Sequence, residues 1–172
     1  GNAGMPAAIF AAQRGARVLI IEAAGPLGGT LHLSSGQMSA GGTQLQKSKG
    51  IEDSGQLHYD DVMRISKNTA DKDIVRLATL NAADTFDWLM DNGYPLLPGY
   101  PVEGVAHEPY SKPRYYWSDL RGIGILDAMP PEALLDAVAL QDQAACARAN
   151  EGCPKVAAGR ATELTGKGGP KG

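Results

Sequence analysis

The feature that most constrains the fold is a short apolar run at residues 18–21, which follows an alanine-rich stretch ending at Gly15. Four consecutive β-branched or aliphatic residues are typical of a parallel strand that is buried on both faces. In the stretch before it, apolar residues recur at helical spacing at positions 5, 8, 9 and 12. The sequence therefore predicts a helix over residues 2–14 with Gly15 as its C′ residue, followed by a buried strand.

Glycines flank the start of this helix, and an acid ends the strand. Gly1 and Gly4 match the last two glycines of the dinucleotide fingerprint G-x-G-x-x-G, and Glu22 lies eighteen residues after Gly4. In that motif the second glycine lets the backbone approach a pyrophosphate at the helix N-terminus, and the third lets helix and strand pack closely. The acid holds a ribose hydroxyl and disfavours a 2′-phosphate. The residues predict a βαβ dinucleotide-binding motif that lacks its first strand and first glycine. The alternative is a flexible terminus with Glu22 as a solvated charge.

Composition favours small-molecule chemistry. The 172 residues include 16 basic and 19 acidic residues spread along the chain, so no basic stripe is available for nucleic acid or anionic lipid. We find no signal segment and no apolar run of membrane length, and Cys146 and Cys153 form neither a metal quartet nor a disulfide framework. We expect a small-molecule substrate, no nucleic acid, no membrane, no metal and a cytoplasmic location.

The middle of the chain combines a long loop with one well-defined helix. Residues 23–49 are dense in glycine, serine and threonine and predict a functional loop without regular structure. A helix is predicted from Asp71 as N-cap to Asn92-Gly93. Its predicted buried face consists of Ile74, Leu77, Ala78, Asn81, Ala82, Thr85, Phe86 and Leu89.

The remainder is less regular. Five prolines predict an irregular excursion over residues 94–113, and a helix interrupted by Pro130-Pro131 is expected over residues 123–149. A strand over residues 156–164 and a disordered tail over residues 166–172 are expected to follow.

Several motifs in a specific order resemble one protein family. They comprise the glycine pair, the strand with its acid, a Gly-Gly-Thr turn and a Ser-Gly-rich loop, followed by shorter matches. In chain order they lie at residues 1–4, 18–22, 28–30, 34–43, 46, 50–51, 53–54, 73–78, 88–89 and 92–93. Over about three quarters of its length, the chain resembles FAD-dependent flavoproteins of the fumarate reductase, succinate dehydrogenase, aspartate oxidase and 3-ketosteroid dehydrogenase group.

The resemblance implies an α/β fold with a Rossmann-type FAD-binding part, an incomplete βαβ dinucleotide fold, and part of a capping domain. It implies the N-terminal part of the FAD-binding domain over residues 1–58, a helical and irregular capping region over residues 59–150, and a return strand and disordered tail over residues 151–172. The chain is expected to be a fragment of a larger enzyme.

The activity that the resemblance implies is flavin-dependent dehydrogenation, or the reverse enoate reduction, next to a carbonyl or carboxylate. A small-molecule substrate and a separate electron donor or acceptor would take part. Two alternatives remain at this point: a truncated FAD-binding module without catalytic activity and, more weakly, a fragment of an NAD-binding dehydrogenase.

The resemblance also implies a cofactor site, although it assigns no catalytic residue. Residues 1, 3 and 4 would lie near the pyrophosphate, residues 29–30 near the phosphates and Glu22 on the adenosine ribose. Residues 34–36 would lie beside the ribityl chain and residues 40–43 near the isoalloxazine. Glycine lets backbone N–H groups approach the ring edge, and hydroxyls add donors. The predicted cofactor-binding residues are Gly1, Asn2, Ala3, Gly4, Glu22, Ala23, Gly28, Gly29, Thr30, Ser34, Ser35, Gly36, Ala40, Gly41, Gly42 and Thr43.

Three histidines are not assigned to chemistry. His32 falls a little later than the histidine that binds FAD covalently in succinate dehydrogenases, so the resemblance implies non-covalent FAD and an ordinary loop residue at His32. His58 and His107 have no partner at metal-ligand spacing and are predicted to be surface or turn residues.

An aromatic and cationic cluster consists of Tyr110, Arg114, Tyr115, Tyr116 and Trp117. It is interpreted either as packing between domains or as a loop that closes over the flavin. In the second case Arg114 or Arg121 would orient a substrate carboxylate or carbonyl through charge-assisted hydrogen bonds.

Overall fold

The computed structural model describes residues 1–21, 27–104, 107–129 and 138–140, which belong to two compact units. The first unit contains Gly1–His32 and a strand near residue 139, and the second spans Leu33–Met129. Several predictions lie outside the described residues. They concern Glu22, Ala23, Cys146, Cys153, the strand over residues 156–164 and the tail over residues 166–172.

The first unit begins with helix α1, Gly4–Gln13, and its predicted end is confirmed. Gly15 has a φ of +81°, its N–H donates to the Ala12 carbonyl, and the Ala16 N–H donates to the Ala11 carbonyl. This pair of hydrogen bonds is a Schellman motif, which requires a left-handed residue after the helix and therefore favours glycine.

Strand β1, Leu19–Ile21, lies in a parallel sheet, as the apolar run predicted. Its partner is the last strand of the described chain, β4 (Val138–Leu140), with Leu19 opposite Val138. The helix predicted over residues 123–149 is therefore wrong at these three residues. Pairing with β1 provides them with a long-range ladder of hydrogen bonds, which overrides the local helical pattern.

The predicted loop over residues 23–49 contains regular structure, so that prediction is wrong in part. A 3₁₀ turn, Gly29–His32, belongs to the first unit. Strand β2 (Met38–Ser39) and helix α2 (Gln44–Ser48) belong to the second. Helix α2 is short but well capped. The Thr43 hydroxyl accepts a hydrogen bond from the Gln46 N–H, and the Gln46 side chain accepts one from the Thr43 N–H. This T-x-x-Q capping box was visible in the sequence.

Helix α3, Gly55–Ile65, was not predicted. Ser54 is its N-cap and accepts a hydrogen bond from the Leu57 N–H. Helix α3 packs closely against the next helix, α4 (Lys72–Asp91). A Cβ at Gly55 would lie 2.8 Å from the Thr79 carbonyl oxygen and 3.0 Å from the Leu80 Cα. Glycine at residue 55 is therefore a requirement of helix packing.

Helix α4, Lys72–Asp91, confirms the most secure prediction. Asp71 caps it by accepting hydrogen bonds from the N–H groups of residues 73 and 74, and it ends at Asn92 with Gly93 at a φ of +84°. The predicted buried face is correct at Phe86 and Leu89, whereas Ala78, Asn81 and Thr85 are exposed. Ile74 and Leu77 are 67% and 70% exposed.

The core of the second unit lies where α4 meets a two-stranded antiparallel ribbon. Strand β3, Tyr115–Tyr116, pairs with β2 so that Met38 lies opposite Tyr116, and the Tyr116 ring centroid is 3.9 Å from that of Phe86. The main core cluster consists of Ala40, Phe86, Leu89, Tyr94, Tyr116 and Ala128.

The segment between α4 and β3 is irregular as predicted, with one isolated bridge between Val102 and Tyr115. Helix α5, Gly122–Asp127, then ends at Ala128, before the two prolines. Among the helices of the described residues, none combines the length and the apolar character needed to cross a membrane.

Candidate functional site

The start of α1 offers backbone groups to a ligand. Its N-cap residue is Ala3, no side chain caps it, and no acid lies in its first turn. The Met5 N–H donates to the Gly1 carbonyl and Pro6 has no N–H, so this end offers an anion mainly the positive end of the helix dipole. An added Cβ at Gly1 or Gly4 would meet nothing within 4 Å among the described residues. The backbone here fits a phosphate group.

The Gly-Gly-Thr turn lies beside this helix start. Gly28 and Gly29 have φ values of +116° and +55°, and a Cβ at Gly29 would lie 3.2 Å from the Gly1 Cα. The structure thus brings two of the predicted phosphate-binding segments together within the first unit. Asn2 and Thr30 are exposed there. His32 is also exposed, and its Nε2 is 2.7 Å from the Leu27 carbonyl oxygen.

The Ser34-Ser35-Gly36 segment is fixed by the loop before α5. A Cβ at Gly36 would lie 2.2 Å from the carbonyl carbon of Arg121, and the Gly36 φ is +69°. The Trp117 indole N–H donates to the Ser35 carbonyl at 2.7 Å, and the Ser34 hydroxyl accepts a hydrogen bond from the Gly36 N–H at 3.0 Å. Glycine at residue 36 is therefore required by contact with the protein's own backbone.

Gly41 and Gly42 also pack against protein atoms. A Cβ at Gly41 would lie 2.9 Å from the Ser54 carbonyl oxygen and 3.0 Å from Asp53 Oδ2. Gly42 has a φ of +92°, and its N–H donates to Gln46 Oε1 at 2.6 Å. These glycines were predicted to admit the flavin, and the structure gives them a second purpose, the close approach of a buried ion pair.

The Thr43 hydroxyl is committed to hydrogen bonds within the protein. Thr43 is completely buried; its Oγ1 accepts a hydrogen bond from the Gln46 N–H and lies 2.8 Å from the Tyr116 hydroxyl. Burial raises the pKa of Tyr116 to about 12, so this phenol stays neutral. The pair holds the loop after β2 against β3.

Arg114 occupies the centre of a buried ionic network, a position that the sequence did not predict. Its guanidinium is fully buried and forms a bidentate pair with Asp53, with both distances 2.7 Å, and a further hydrogen bond with Asp61. Asp61 also accepts hydrogen bonds from Arg64 and from the N–H and hydroxyl of Ser111. The Arg114 guanidinium is therefore held by carboxylates within the second unit and is not free to orient a substrate carboxylate, as one interpretation of the aromatic and cationic cluster expected.

The network keeps Asp61 and Arg114 charged. Burial opposes the ionisation of Asp61, but hydrogen bonds from Arg64, Ser111 and Arg114 outweigh it and hold the pKa of Asp61 well below its usual range. Burial likewise opposes the charge on Arg114, yet Asp53 and Asp61 raise the pKa of Arg114. A buried charge stabilised by its partners is costly to disrupt.

His58 is not the surface or turn residue that the sequence suggested. It lies on α3, is only 4% exposed, and has its Nε2 3.1 Å from the Ser39 hydroxyl oxygen. The prediction was wrong because α3 itself was missed. His107 is half-buried, and its Nε2 contacts the Tyr115 hydroxyl while its ring lies 5.1 Å from that of Tyr110.

An open groove of about 280 Å³ lies between strand β2 and helix α4. Within the described ranges of the chain, no group of three or more His, Cys, Asp or Glu side chains is placed to hold a metal ion. The residues that line the groove are Met38, Ser39, Ala40, Ala78, Ala82, Thr85 and Phe86.

Comparison with known proteins gives a consistent result. Three relatives are similar to parts of this chain. A fumarate reductase (cytochrome) of Shewanella frigidimarina is 38% identical over 113 residues, which are 63% of this chain and 20% of the relative. An NADH:fumarate oxidoreductase of Klebsiella pneumoniae is 34% identical over 66% of this chain and 12% of its own length. A urocanate reductase of Eggerthella lenta is 34% identical over 65% of this chain and 17% of its own length. The matched part is thus a fifth or less of each relative.

A solved structure shares the fold. The 3-ketosteroid-Δ4-(5α)-dehydrogenase of Rhodococcus jostii superposes with a TM-score of 0.63 at 24% identity, over 81% of this chain and 35% of that one. The predicted Rossmann-type FAD-binding fold is supported at this coarse level. Residues 1–154 match the model of the FAD binding domain family. Because that match covers most of the sequence, the chain belongs to the FAD binding domain family, and its cofactor is FAD.

Proposed function

We propose that this chain is an FAD-binding part of a flavoprotein that dehydrogenates or reduces a carbon–carbon bond next to a carbonyl or carboxylate. The match of residues 1–154 to the FAD binding domain family carries the proposal. The similar proteins named above support the reaction class, because they are fumarate and urocanate reductases. The fold would be an incomplete βαβ motif with part of a capping domain, divided near residues 58 and 150.

The first unit would hold the phosphate end of FAD. The uncapped N-terminus of α1 and the open space beside Gly1 and Gly4 suit a pyrophosphate. Gly29 and Thr30 would complete this end, and Glu22 would accept hydrogen bonds from the ribose hydroxyls. Non-covalent attachment is proposed because His32 falls a little later in the chain than the histidine that binds FAD covalently in succinate dehydrogenases.

The loop before and after β2 would hold the other end of FAD. Ser34, Ser35 and Gly36 are proposed to lie beside the ribityl chain, and residues 40–43 near the isoalloxazine. Bound FAD supplies the chemistry of hydride transfer, while the protein binds, orients and excludes water. The hydrogen bonds that fix residues 34–36 on the loop before α5 would preorganise this segment.

A second candidate function is an FAD-binding module without catalysis. The observation that favours it is the complete burial of Arg114, whose three hydrogen bonds all go to Asp53 and Asp61. That guanidinium is unavailable to a substrate carboxylate. Reduction of fumarate or another enoate by the purified chain, with an artificial electron donor, would distinguish an enzyme from a module.

The cofactor proposal is tested by titrating the purified chain with FAD. We expect the protein to keep a flavin absorption band after gel filtration, and we expect NAD not to displace the bound FAD. Glu22→Ala should weaken FAD binding by about 1–3 kcal/mol because a ribose hydroxyl loses its acceptor. Glu52→Ala removes the same charge from an exposed position and is the matched control. Equal FAD affinity of the two variants would contradict the role of Glu22, and a chain that takes up no FAD would contradict the proposal.

A further inference from the structure

The hydrogen bond between Ser39 and His58 lies next to the loop proposed to contact the flavin. Ser39 is half-buried in β2 and lines the open groove, whereas His58 on α3 is buried. The distance between Ser39 Oγ and His58 Nε2 is 3.1 Å. Ser39 lies between residues 34–36 and 40–43, the two segments proposed to hold the ribityl chain and the ring.

The other ring nitrogen of His58 indicates which atom carries the hydrogen. Within the described part of the chain, Nδ1 is buried and has no hydrogen-bond partner. A neutral imidazole has one N–H and one lone pair, and a buried N–H without an acceptor is rarer in proteins than an unused acceptor. The hydrogen is therefore expected on Nε2, so that His58 donates and the Ser39 oxygen accepts.

The surroundings of His58 keep it neutral. Arg114 faces it with a positive charge, Asp53 and Asp61 face it with negative charges, and Tyr110 packs edge-on at 5.3 Å between ring centroids. Burial, followed by Arg114, lowers the pKa of His58 to about 4, and the two carboxylates offset this only in part. The ring thus remains a single-donor group at neutral pH.

This arrangement leaves the Ser39 hydrogen without an acceptor among the described residues. By contrast, the hydroxyl of Thr43 is used inside the protein. We infer that His58 is a positioning residue, which holds the Ser39 side chain so that its hydroxyl donates a hydrogen bond to a nitrogen or oxygen atom of bound FAD. The inference rests on the proposed function.

The first test measures the tautomer of His58 directly in the chain without FAD. Long-range ¹H–¹⁵N spectra of the histidine-labelled chain should show the neutral form with hydrogen on Nε2 at pH 6. His58→Gln identifies the signals of residue 58. A neutral ring with hydrogen on Nδ1, or a charged ring at that pH, would overturn the inference independently of any cofactor.

The second test is a double-mutant cycle on FAD affinity. Ser39→Ala should weaken FAD binding about tenfold, as expected for the loss of one hydrogen bond. His58→Met should weaken it about as much, yet add almost nothing in the Ser39→Ala background. His58→Gln should stay within about threefold of the original chain, because an amide N–H replaces the imidazole donor.

Ser48→Ala, which removes an exposed hydroxyl bonded to the Leu45 carbonyl, is the matched control and should not alter FAD affinity. If the original chain binds FAD and Ser39→Ala does too with equal affinity, the inference fails while the proposed function stands. The inference alone also fails if His58→Met weakens FAD binding as much in the Ser39→Ala background as it does in the original chain. A chain that binds no FAD at all fails the proposed function and the inference with it. Should His58→Met not fold, Ser39→Ala and the tautomer still decide the question.

Discussion

The glycines of the two units look alike in the sequence but have different surroundings. In the first unit, a side chain at Gly1 or Gly4 would enter open space. In the second unit, a side chain at Gly36 or Gly41 would enter the backbone of Arg121 or the ion pair of Asp53. The sequence motif assigned both sets to the cofactor. The difference teaches that a glycine in a binding motif can be required by close packing of the protein itself.

The polar groups of the two units differ in the same way. In the second unit, Arg114 forms ion pairs with Asp53 and Asp61, and the Thr43 hydroxyl forms hydrogen bonds with Gln46 and Tyr116. In the first unit, no side chain caps the start of α1. Substitutions in the second unit are therefore expected to change mainly its stability. Substitutions in the first unit are expected to change mainly ligand affinity.

The largest effect is expected from Arg114→Met. Removing the guanidinium leaves Asp53 and Asp61 buried without their main partner, which should reduce the free energy of unfolding by about 3–5 kcal/mol. Arg76→Met is the control, because Arg76 is exposed and stacks on Tyr59; it should cost about 0.5–1 kcal/mol. Urea denaturation measures both. Similar losses would show that the network does not hold the second unit.

Gly36→Ala should be the next largest. The new Cβ would overlap the Arg121 backbone at a left-handed φ, and we expect a loss of about 3 kcal/mol in the free energy of unfolding. Gly50→Ala has a similar φ, +70°, but open space around it, and should cost only about 1 kcal/mol. Equal losses at residues 36 and 50 would mean that only φ matters, and the proposed packing role of Gly36 would be wrong.

A pH dependence tests the buried histidine. The pKa of His58 falls from 6.5 to about 4 on folding, so the unfolded chain binds the proton more readily between these values. Stability should be greatest above pH 6.5 and decline as the pH falls towards 4, by roughly 2–3 kcal/mol in total. His58→Gln should flatten this part of the curve. Asp61, whose pKa is lowered in the folded chain, also contributes to stability, and this contribution should be lost only as the pH falls below the ordinary pKa of 3.8.

The smallest effect on stability is expected from Gly4→Ala. The Cβ enters open space at the first position of α1, so the free energy of unfolding should change by less than about 0.5 kcal/mol. FAD affinity should nevertheless fall about tenfold, because the methyl group would crowd the helix N-terminus at which the phosphates are proposed to bind. Equilibrium titration with FAD measures this change, and Gly50→Ala should leave the affinity unaltered. Unchanged affinity in Gly4→Ala would place the phosphates elsewhere.

Local signals predicted part of this structure. The ends of α1 and α4 followed from Gly15, Asp71 and Gly93, since caps depend on residues a few positions apart. The ionic network could not be predicted, because Asp61 and Arg114 are 53 positions apart and only packing brings them together. The face of α4 was predicted only in part, since helical spacing shows which residues align but not which of them the rest of the unit covers.

The close crossing of α3 and α4 has a consequence for the chemistry nearby. Asp61 and His58 are carried by α3, and the absence of one methyl group at Gly55 allows that helix to approach Thr79. Any larger residue at this crossing would lift the helix away, and both side chains would move together relative to Arg114 and Ser39. A single hydrogen atom in place of a side chain thus sets the alignment of two separate polar contacts.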